Sequence, residues 1–538
     1  MKRHILLSLG IVVLILQCCR QKEEETIIVQ KQDKTYTPAS VRPLLDEWQE
    51  RCFRFFYDGA SPTGLALEGN ERGEVITSGG SGFGIMSLIV GIERKWISRE
   101  EALERMLSIV RFLGQAERFR GMWSHWYNPD ATAHPFGDQV KTGDVVESAF
   151  LMAGLLCASE YFNAIDTREQ EVRDSVASFW KTVDWRFYTA GGNSLKWLWY
   201  SQEKRFKLDI SGWNEAWIAY VLALAAPDPH NITVEQYNSG WMRNGAYLHP
   251  NREFFGYKLP LGPDYGGPLF FAHYSFLGID PKLVADANLN YWEQNTAHTL
   301  INRHYCLREA PKTFRYDEGN WGLTACYGGR PPWKYKARSP QQDDGVIAPT
   351  AALSSFPYTP FYSTQVLLSL SKKSWLTGKY GFGDSYCLET QSSEKRHLAI
   401  DQGPIVVMME NYRSGLIWKL LMKNEHIQRG LSAAGISAPK HRQGFIRVMP
   451  ESLSGSYDMM RHPDRERYEL EYYCEKAGNT TFEIIDKQNK IISSESQNSQ
   501  YGENQYSFDH KDIINGKNYT IKMNTPDGKK YSLAVRLR

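Results

Sequence analysis

Residues 145–156 read VVESAFLMAGLL, a run in which apolar side chains occupy nearly every position of a helix. Residues 216–226 (AWIAYVLALAA) and 405–409 (IVVMM) have the same character. A helix without a polar face has to be buried on all sides, whereas residues 101–113 keep a polar stripe and predict a half-buried helix. The alternation predicts a mainly α fold in which an outer ring of helices wraps an inner ring, an α/α barrel. An irregular helical bundle is the alternative.

Helical periodicity continues outward from these runs over residues 41–437, which we expect to form the main domain. Ser98 lies three residues before Glu101, the spacing of a capping box at the start of a helix. Long connections rich in glycine, proline and aromatic residues join the helices, and loops of this length usually carry function. We expect them to build a cleft on one rim. Besides the helix that opens at Ser98, the predicted helices cover residues 41–57, 82–97, 143–164, 167–183, 212–226, 266–278, 281–306, 346–371 and 402–434.

The pattern changes in residues 438–538, where short β-rich runs replace the helical periodicity. Residues 524–528 (NTPDG) separate the last two runs and are typical of a hairpin turn. We predict a small β-sandwich that serves as an accessory domain. A carbohydrate-binding role for it stays open, although no tryptophan follows Trp418. The predicted strands cover residues 468–474, 481–485, 490–493, 505–509, 519–523 and 531–537.

The composition is that of an ordinary globular protein, since 42% of the 538 residues are apolar and 23% are charged. The 63 lysines and arginines nearly balance the 61 aspartates and glutamates, which argues against binding nucleic acid through a broad basic face. Aromatic residues make up 13%, which suits core packing and equally a cleft that stacks on sugar rings. The cysteines show no metal-binding spacing. We therefore expect no metal, no cofactor, no disulfide framework and no obligatory protein partner.

The N-terminus has the pattern of an export signal. A basic start (MKRH) precedes the apolar residues 5–16, a run too short to span a membrane, and then the pair Cys18 and Cys19. We predict a signal peptide over residues 1–17, a tether over 18–40 and a lipid anchor at Cys18 or Cys19. A simple signal peptide is the alternative. The anchored protein would lie in the periplasm or on the cell surface of a Gram-negative bacterium.

Acidic residues stand where two of the apolar helices begin. Asp144 and Glu147 are three positions apart and so share one helix face, but this is also the spacing of a capping box. Glu215 lies between Trp213 and Trp217 ahead of the next apolar helix. Hydrolysis of a glycosidic bond needs two carboxyl groups, one to protonate the leaving oxygen and one to activate water. Asp144, Glu147 and Glu215 are therefore the candidate catalytic residues.

A third helix start, at Asp401, is a candidate binding site whose acid has an alternative role as a helix cap. Further along that helix, Glu410 either touches substrate or pairs with Arg413 three residues on. Tryptophans close to glycine in long loops are candidates for cleft lining, with core packing as the alternative. The predicted substrate-binding residues are His125, Trp126, Trp213, Trp321, Asp401, Glu410 and Tyr412.

Seven blocks of the sequence resemble the bacterial glycoamylase-like family, which includes the endo-β-1,2-glucanases. They follow the order of that family from residue 77 to about 435 and leave the β-rich tail outside. The resemblance implies an (α/α)6 barrel that hydrolyses a glucan, most of all a β-1,2-glucan, with inversion at the anomeric carbon. The blocks are TSGGSGFGIMSLIVGIERKWISREEA (77–102), GDVVESAFLMAGLLCASEYF (143–162), WNEAWIAYVLALAAP (213–227), YWEQNTAHTLINRHYC (291–306), GNWGLTAC (319–326), DDGVIAPTAALSSFPYTP (343–360) and IDQGPIVVMMENYRSGLIW (400–418).

The resemblance also implies roles for individual acids. Asp144, Glu147 and Glu215 match acidic positions of that family's cleft. A further acid expected just before Asp144 has no counterpart, since Val140 and Lys141 stand there. We hypothesise that Glu215 is the general acid and that Glu147 or Asp144 is the base, because a helix N-terminus favours negative charge at Asp144.

Two other functions stay open. A non-catalytic surface lipoprotein that captures oligosaccharides would have the same signal, tether, helical body and aromatic surface. A lyase or epimerase on the same kind of barrel is the third candidate, but a lyase needs a uronic acid substrate, and the sequence has no dense cluster of arginine and lysine to bind one.

Overall fold

The computed structural model describes residues 37–71, 73–136, 140–328, 334–439 and 457–538. The predicted signal peptide and most of the predicted tether precede residue 37 and lie outside these ranges. From residue 36 onward the chain forms one compact unit, so the domain boundary after residue 437 stays a prediction. In the described ranges, no helix combines the length and apolar character needed to cross a bilayer.

The described chain is mainly α with a small sheet-rich region at its C-terminal end, which confirms the predicted fold class at that level. The capping box predicted at Ser98 is present, and the Ser98 side chain accepts a hydrogen bond from the backbone N–H of Glu101. The main helices are α1 (Pro38–Tyr57), α2 (Ser78–Glu93), α3 (Arg99–Gln115), α4 (Val145–Tyr161), α5 (Thr167–Thr182), α6 (Trp217–Ala225), α7 (Tyr291–Arg308), α8 (Pro349–Leu353), α9 (Pro360–Leu370), α10 (Ala399–Arg413), α11 (Leu416–Lys423) and α12 (Glu425–Ala433).

Several predicted helices are shorter or broken. The segment 346–371 forms two helices, α8 and α9, separated by a turn at residues 354–358, and the helix predicted over 212–226 covers only Trp217–Ala225. The segment 266–278 forms separate 3-10 turns at Leu269–Ala272 and Tyr274–Phe276 rather than one helix. The helix predicted from residue 281 begins ten residues later, because Asn290 caps α7 by accepting from a backbone N–H in its first turn. The segment 402–434 is three helices, since Gly415 adopts a left-handed conformation (φ 70°) after α10, as helix-ending glycines do.

The most apolar helices form the inner layer. Helices α10, α2, α4 and α6 contact one another in that order, and each is buried along most of its length. Helices α3 and α5, which keep polar faces, pack against each other and on this layer. The predicted distinction between fully and half-buried helices is therefore correct for the four helices to which it was applied, α4, α6 and α10 as fully buried and α3 as half-buried.

Helices α2 and α4 approach each other backbone to backbone. A Cβ atom on Gly82 would lie 2.2 Å from the carbonyl oxygen of Phe150, and one on Gly154 would lie 2.3 Å from the carbonyl oxygen of Gly82. Only glycine fits at this contact, since a carbonyl oxygen of a buried helix cannot move aside cheaply.

The C-terminal region consists of two sheets that share one core. Five strands pair in the order β1 (Tyr457–Met459), β7 (Lys530–Leu537), β6 (Asn518–Asn524), β3 (Gly478–Asp486) and β4 (Ile491–Ser499), with β1 and β7 parallel, and β2 (Tyr468–Cys474) pairs with β5 (Gly502–Phe508). Phe482 of the larger sheet stacks on Tyr506 of the smaller one, with ring centroids 3.9 Å apart. The predicted turn at 524–528 joins β6 to β7.

The loops that join the helices contain short strands. Thr142–Asp144 leads directly into α4 and pairs with Lys196–Tyr200, which ties two long loops together at the start of that helix. The other short strands are Ile76–Thr77, Arg118–Phe119, Met122–Trp123, Trp126–Tyr127, Ala133–His134, Arg205–Asp209, Glu253–Phe254, Tyr257–Lys258, Ala325–Cys326, Lys336–Ala337, Thr377–Gly378, Gly381–Phe382, Ser385–Cys387 and Ser392–Glu394. The cysteines of the described ranges are buried free thiols: Cys52, Cys157, Cys306, Cys326, Cys387 and Cys474.

The glycine contact predicts a large loss of stability for Gly154→Ala. The added methyl group meets the Gly82 carbonyl, and overpacking of this kind costs about 1–3 kcal/mol. The matched control is Gly114→Ala in α3, where a Cβ meets nothing within 4 Å and alanine is the better helix former. Urea unfolding of both variants measures the difference. A Gly154→Ala protein as stable as Gly114→Ala would show that the helices can separate freely.

Candidate active site

Both carboxylate oxygens of Asp144 bind protein groups at the N-terminus of α4. One carboxylate oxygen accepts from the backbone N–H groups of Val146 and Glu147, both at 3.0 Å. The other lies 2.7 Å from Nδ1 of His125. The side chain is completely buried. Asp144 therefore caps the helix and orients an imidazole, and it has no oxygen left to meet a substrate.

Glu147 turns away from the cap. Its Oε2 accepts a hydrogen bond from the backbone N–H of Gly79, 2.9 Å away in the first turn of α2. Burial raises the pKa of Glu147 to about 7; the charge of His125 opposes this, and the carboxyls of Asp144 and Glu68 add to it. Near neutral pH this carboxyl group can therefore both hold and release a proton.

His125 is a cation in this site. Burial on its own would lower the pKa of its imidazole, but the facing carboxylates of Glu147 and Asp144 outweigh burial and raise it to about 9. The ring lies flat on Phe136, with centroids 3.6 Å apart and planes 5° apart. Trp126 stands edge-on to the ring of Phe136 and donates its indole N–H to Glu68 at 3.2 Å.

Glu215 lies just before α6, and among the described residues no charged group contributes appreciably to the shift of its pKa. Burial is the main cause that raises the pKa of its carboxyl to about 7, opposed only by its own backbone N–H. The hydroxyl of Ser275 donates to the carbonyl oxygen of Glu215 and accepts from the N–H of Ile218 at 3.0 Å. This bridge fixes the start of α6 and, with it, the position of the acid.

Tyr274 connects the acids of different helices. Burial raises the pKa of its phenol, and the negative charges of Asp401, Glu215, Glu147 and Glu68 raise it further. Four carboxyl groups thus lie within electrostatic range of one hydroxyl group. The predicted Glu147, Glu215 and Asp401, from the starts of α4, α6 and α10, therefore all lie within electrostatic range of Tyr274, as does Glu68, which the sequence did not single out.

Glu410 and Tyr412 lie away from this cluster, at the other end of α10. Glu410 forms an ion pair with Arg94, whose Nε is 2.6 Å from Oε2, and accepts from the hydroxyl of Ser414. Tyr412 packs on Phe356 with ring centroids 5.7 Å apart. The ion pair considered for Glu410 exists, but with Arg94 rather than with Arg413. Both side chains are engaged in holding the fold, so the expected substrate contacts have no support in this geometry.

Trp213 and Trp321 are core residues in the structure. They are 6% and 1% exposed, so neither presents a ring face on which a sugar could stack. Trp213 packs against Trp241 and Tyr291. Of the predicted aromatic lining, only His125 and Trp126 therefore stand beside the acids.

Comparisons with known proteins relate this chain to a family of glucan-cleaving enzymes. Residues 207–425 match the family model "Glycoamylase", described as "Putative glucoamylase". An exo β-1,2-glucooligosaccharide sophorohydrolase (non-reducing end) of Parabacteroides distasonis is 38% identical over 74% of this chain, and the match spans 58% of that relative. The structure of an endo-β-1,2-glucanase from Chitinophaga pinensis, in complex with sophorotriose and glucose, is 42% identical with a TM-score of 0.70 and covers 74% of this chain and 99% of its own. A β-1,2-glucanase structure from Parabacteroides distasonis is 37% identical with a TM-score of 0.69 and covers 74% and 60%.

The charge of His125 can be measured directly. In the Glu147→Gln variant the pKa of His125 falls below its value of about 9, because Glu147 is the largest of the interactions that raise it. Histidine-labelled protein, with the signal assigned by a His125→Asn variant, gives this pKa by NMR titration. The matched control is Glu410→Gln, which removes a buried carboxylate far from His125. A His125 that titrates near 6.5 in the unaltered protein contradicts the proposed charge.

Proposed function

The chain belongs to the glycoamylase family, and from this premise we propose that it is a glycoside hydrolase that cleaves β-1,2-linked glucan or its oligosaccharides. The observation that carries the proposal is the group of buried and half-buried carboxyls around Tyr274, two of which, Glu147 and Glu215, have pKa values raised to about 7. Hydrolysis of a glycosidic bond requires one carboxyl that keeps its proton near neutral pH and one that can take a proton from water.

Glu215 fits the role of the general acid. Its environment lacks the cation that Glu147 has in His125, so burial acts on it almost alone and favours the protonated form. A protonated carboxyl at the edge of the cleft can deliver its proton to the glycosidic oxygen as the bond breaks.

Glu147 fits the role of the base. It faces the imidazolium of His125, which stabilises the carboxylate that must accept a proton from water. Asp144, the other base considered from the sequence, has both oxygens engaged by the helix N-terminus and by His125. We assign Asp144 the role of orienting His125. Inversion further needs room for a water molecule, with carboxyls about 6.5–9.5 Å apart.

We also propose that the helices close into an (α/α)6 barrel. The contact order of the inner helices α10, α2, α4 and α6, and the packing of the half-polar α3 and α5 outside them, support this closure. The starts of α4, α6 and α10 would then meet at one mouth of the barrel, where the acids lie.

Replacing the proposed acid tests the mechanism. Glu215→Gln lowers kcat/KM on linear β-1,2-glucan by about 10²- to 10⁴-fold, because the amide has no proton to donate. Glu410→Gln is the matched control: it removes a buried glutamate from the same protein and should reduce stability while leaving kcat close to that of the unaltered enzyme. Chromatography of released oligosaccharides gives the rates.

The same assay separates hydrolysis from capture. A surface lipoprotein that only binds oligosaccharides would retain glucan and release no short products at any enzyme concentration. Binding without release of short products would contradict the proposed hydrolysis, and near-normal turnover by Glu215→Gln would contradict the role of Glu215 as the acid.

We further propose that the protein is exported and anchored by a lipid at Cys18 or Cys19. The support is the basic start, the short apolar run and the cysteine pair that follows it. Metabolic labelling with an alkyne fatty acid should tag the unaltered protein, and one of the variants Cys18→Ser and Cys19→Ser should lose the tag. Equal labelling of the double variant would contradict the anchor.

A further inference from the structure

A cavity lies between the helical part and the C-terminal sheets, beside the C-terminal end of α10. It has a volume of about 150 Å³ and adjoins a more open groove of about 460 Å³. Trp292 and Tyr412 line the cavity from the helical part, and Gln505 and Leu533 line it from the sheets. Tyr412 is eleven residues after Asp401 on α10, which places the two about 16 Å apart along the helix. The cavity is therefore separate from the proposed catalytic cleft.

The neck between the cavity and the groove carries a fixed ammonium group. Nζ of Lys282 lies 3.5 Å from Oε1 of Glu471. The same atom is 5.1 Å from the ring centroid of Trp292 and 5.5 Å from that of Trp418. A carboxylate and two indole rings thus hold the ammonium group in place by electrostatic attraction. The residues that line both the cavity and the groove are Lys282, Tyr412, Arg465, Glu471 and Gln505.

The charges on the cavity wall compensate one another. The ammonium group of Lys282 faces Glu471, and Nη2 of Arg465 donates to Glu469 at 2.7 Å. One ammonium group and one guanidinium group are thus matched by two carboxylates. An anion or a cation would have to displace one member of these pairs, so the wall favours neither.

The other acid and the imidazole that line the cavity add no net charge. Asp458 forms an ion pair with Arg538, whose Nε is 2.9 Å away. Burial lowers the pKa of His462 to about 4, so its imidazole is neutral near pH 7. A ligand that suits this cavity is therefore uncharged.

The phenol of Tyr412, which has no part in the catalytic cleft, keeps hydrogen-bonding capacity at the neck. Its ring packs on Phe356 and His462, with centroids 5.7 and 5.1 Å away. The side chain is half-buried, whereas the residues before and after it in the chain are buried. Among the described residues, no group forms a hydrogen bond with its hydroxyl. A hydroxyl beside a cavity needs a partner from water or from a ligand.

We propose that the cavity and the groove form a second, non-catalytic sugar-binding site. A terminal glucosyl unit of a β-1,2-linked chain occupies the cavity, and the next units lie in the groove. Engineered cavities of about 150 Å³ accept benzene, so this volume admits a six-membered ring. That the chain is a β-1,2-glucan rests on the proposed function.

The polar groups of the wall favour a sugar over other uncharged ligands. The amide of Gln505, the phenol of Tyr412 and the ammonium group of Lys282 would lose water to an apolar ligand and gain no hydrogen bond in return. Sugar hydroxyls both donate and accept, so they can satisfy all three groups. The C–H faces of a sugar ring suit the rings of Tyr412 and Tyr457, which are half-buried and line the cavity.

A glucan chain held in this site stays close to the catalytic cleft of the same molecule. Binding at two sites of one protein raises the effective concentration of a long chain at the cleft, whereas a short oligosaccharide cannot reach both sites. We therefore expect the second site to lower KM for long chains more than for a trisaccharide.

A tryptophan at the neck tests the site. Gln505 is exposed on β5, and strands tolerate tryptophan, so Gln505→Trp obstructs the neck without entering the core. The matched control is Asn498→Trp, which places the same ring at an exposed amide position of β4 outside the cavity. Both variants are made in the Glu215→Gln protein, and titration calorimetry with sophorose, the β-1,2-linked disaccharide of glucose, counts the bound equivalents. Gln505→Trp should bind one equivalent fewer than Asn498→Trp.

Tyr412→Phe removes one hydroxyl and keeps the aromatic ring. The loss of one hydrogen bond should weaken sophorose binding at this site about 2- to 12-fold. The matched control is Tyr161→Phe, a half-buried tyrosine whose hydroxyl donates to Glu93 at 2.7 Å, and it should bind sophorose as before. With Glu215 intact, Tyr412→Phe should raise KM for long linear β-1,2-glucan more than KM for the trisaccharide.

Equal numbers of sophorose equivalents on Gln505→Trp and Asn498→Trp overturn the proposal, and so does an unchanged affinity in Tyr412→Phe. Should the tryptophan variant fail to fold, the phenylalanine variant still decides. Calorimetry needs no turnover, so it decides the second site even if no glucan is cleaved and the proposed function fails. Cleavage of glucan by a protein whose sophorose binding is insensitive to these variants removes only the second site.

Discussion

The contact between α2 and α4 is the constraint on which the site depends. Gly82 and Gly154 leave no room for a side chain between the two backbones, so the helices begin side by side. Gly79, in the first turn of α2, can therefore donate its N–H to Glu147 in the first turn of α4. A Cβ on Gly79 would lie 2.2 Å from that carboxylate. Close packing of two apolar helices thus sets the position of a titratable group.

Burial, rather than the helix N-termini, decides the protonation of the acids. A helix N-terminus stabilises a nearby carboxylate by about 0.3–1 kcal/mol, typically. Raising the pKa of Glu215, which is 9% exposed, from 4.5 to about 7 corresponds to about 3 kcal/mol in the opposite direction. Asp144 and Glu147, three positions apart, have different surroundings. Two backbone N–H groups and His125 bind the carboxylate of Asp144 directly, whereas burial raises the pKa of Glu147.

Local patterns in the sequence predict the buried helices and the acids at their starts, because periodicity and capping depend on neighbouring residues. They do not reveal Glu68 or Tyr274, which lie outside the α-helices and meet them only through tertiary contacts. Nor do the sequence patterns show that Asp401 and Glu410 have different surroundings. The two lie nine residues and about 13 Å apart on α10 and are equally buried, but only Glu410 has a cation beside it.

The two ends of α10 explain what the C-terminal region contributes. Asp401 at the N-terminal end lies within electrostatic range of Tyr274 and Glu68, whereas Arg413 at the C-terminal end binds Asp464, whose carboxylate is 2.9 Å away. That ion pair outweighs burial and lowers the pKa of Asp464 to about 2. Arg42 of α1 bonds to the carbonyl oxygen of Pro463 in the same segment. The segment between β1 and β2 thus fastens α10 to α1, so the C-terminal region contributes contacts that hold the helix whose first turn carries Asp401.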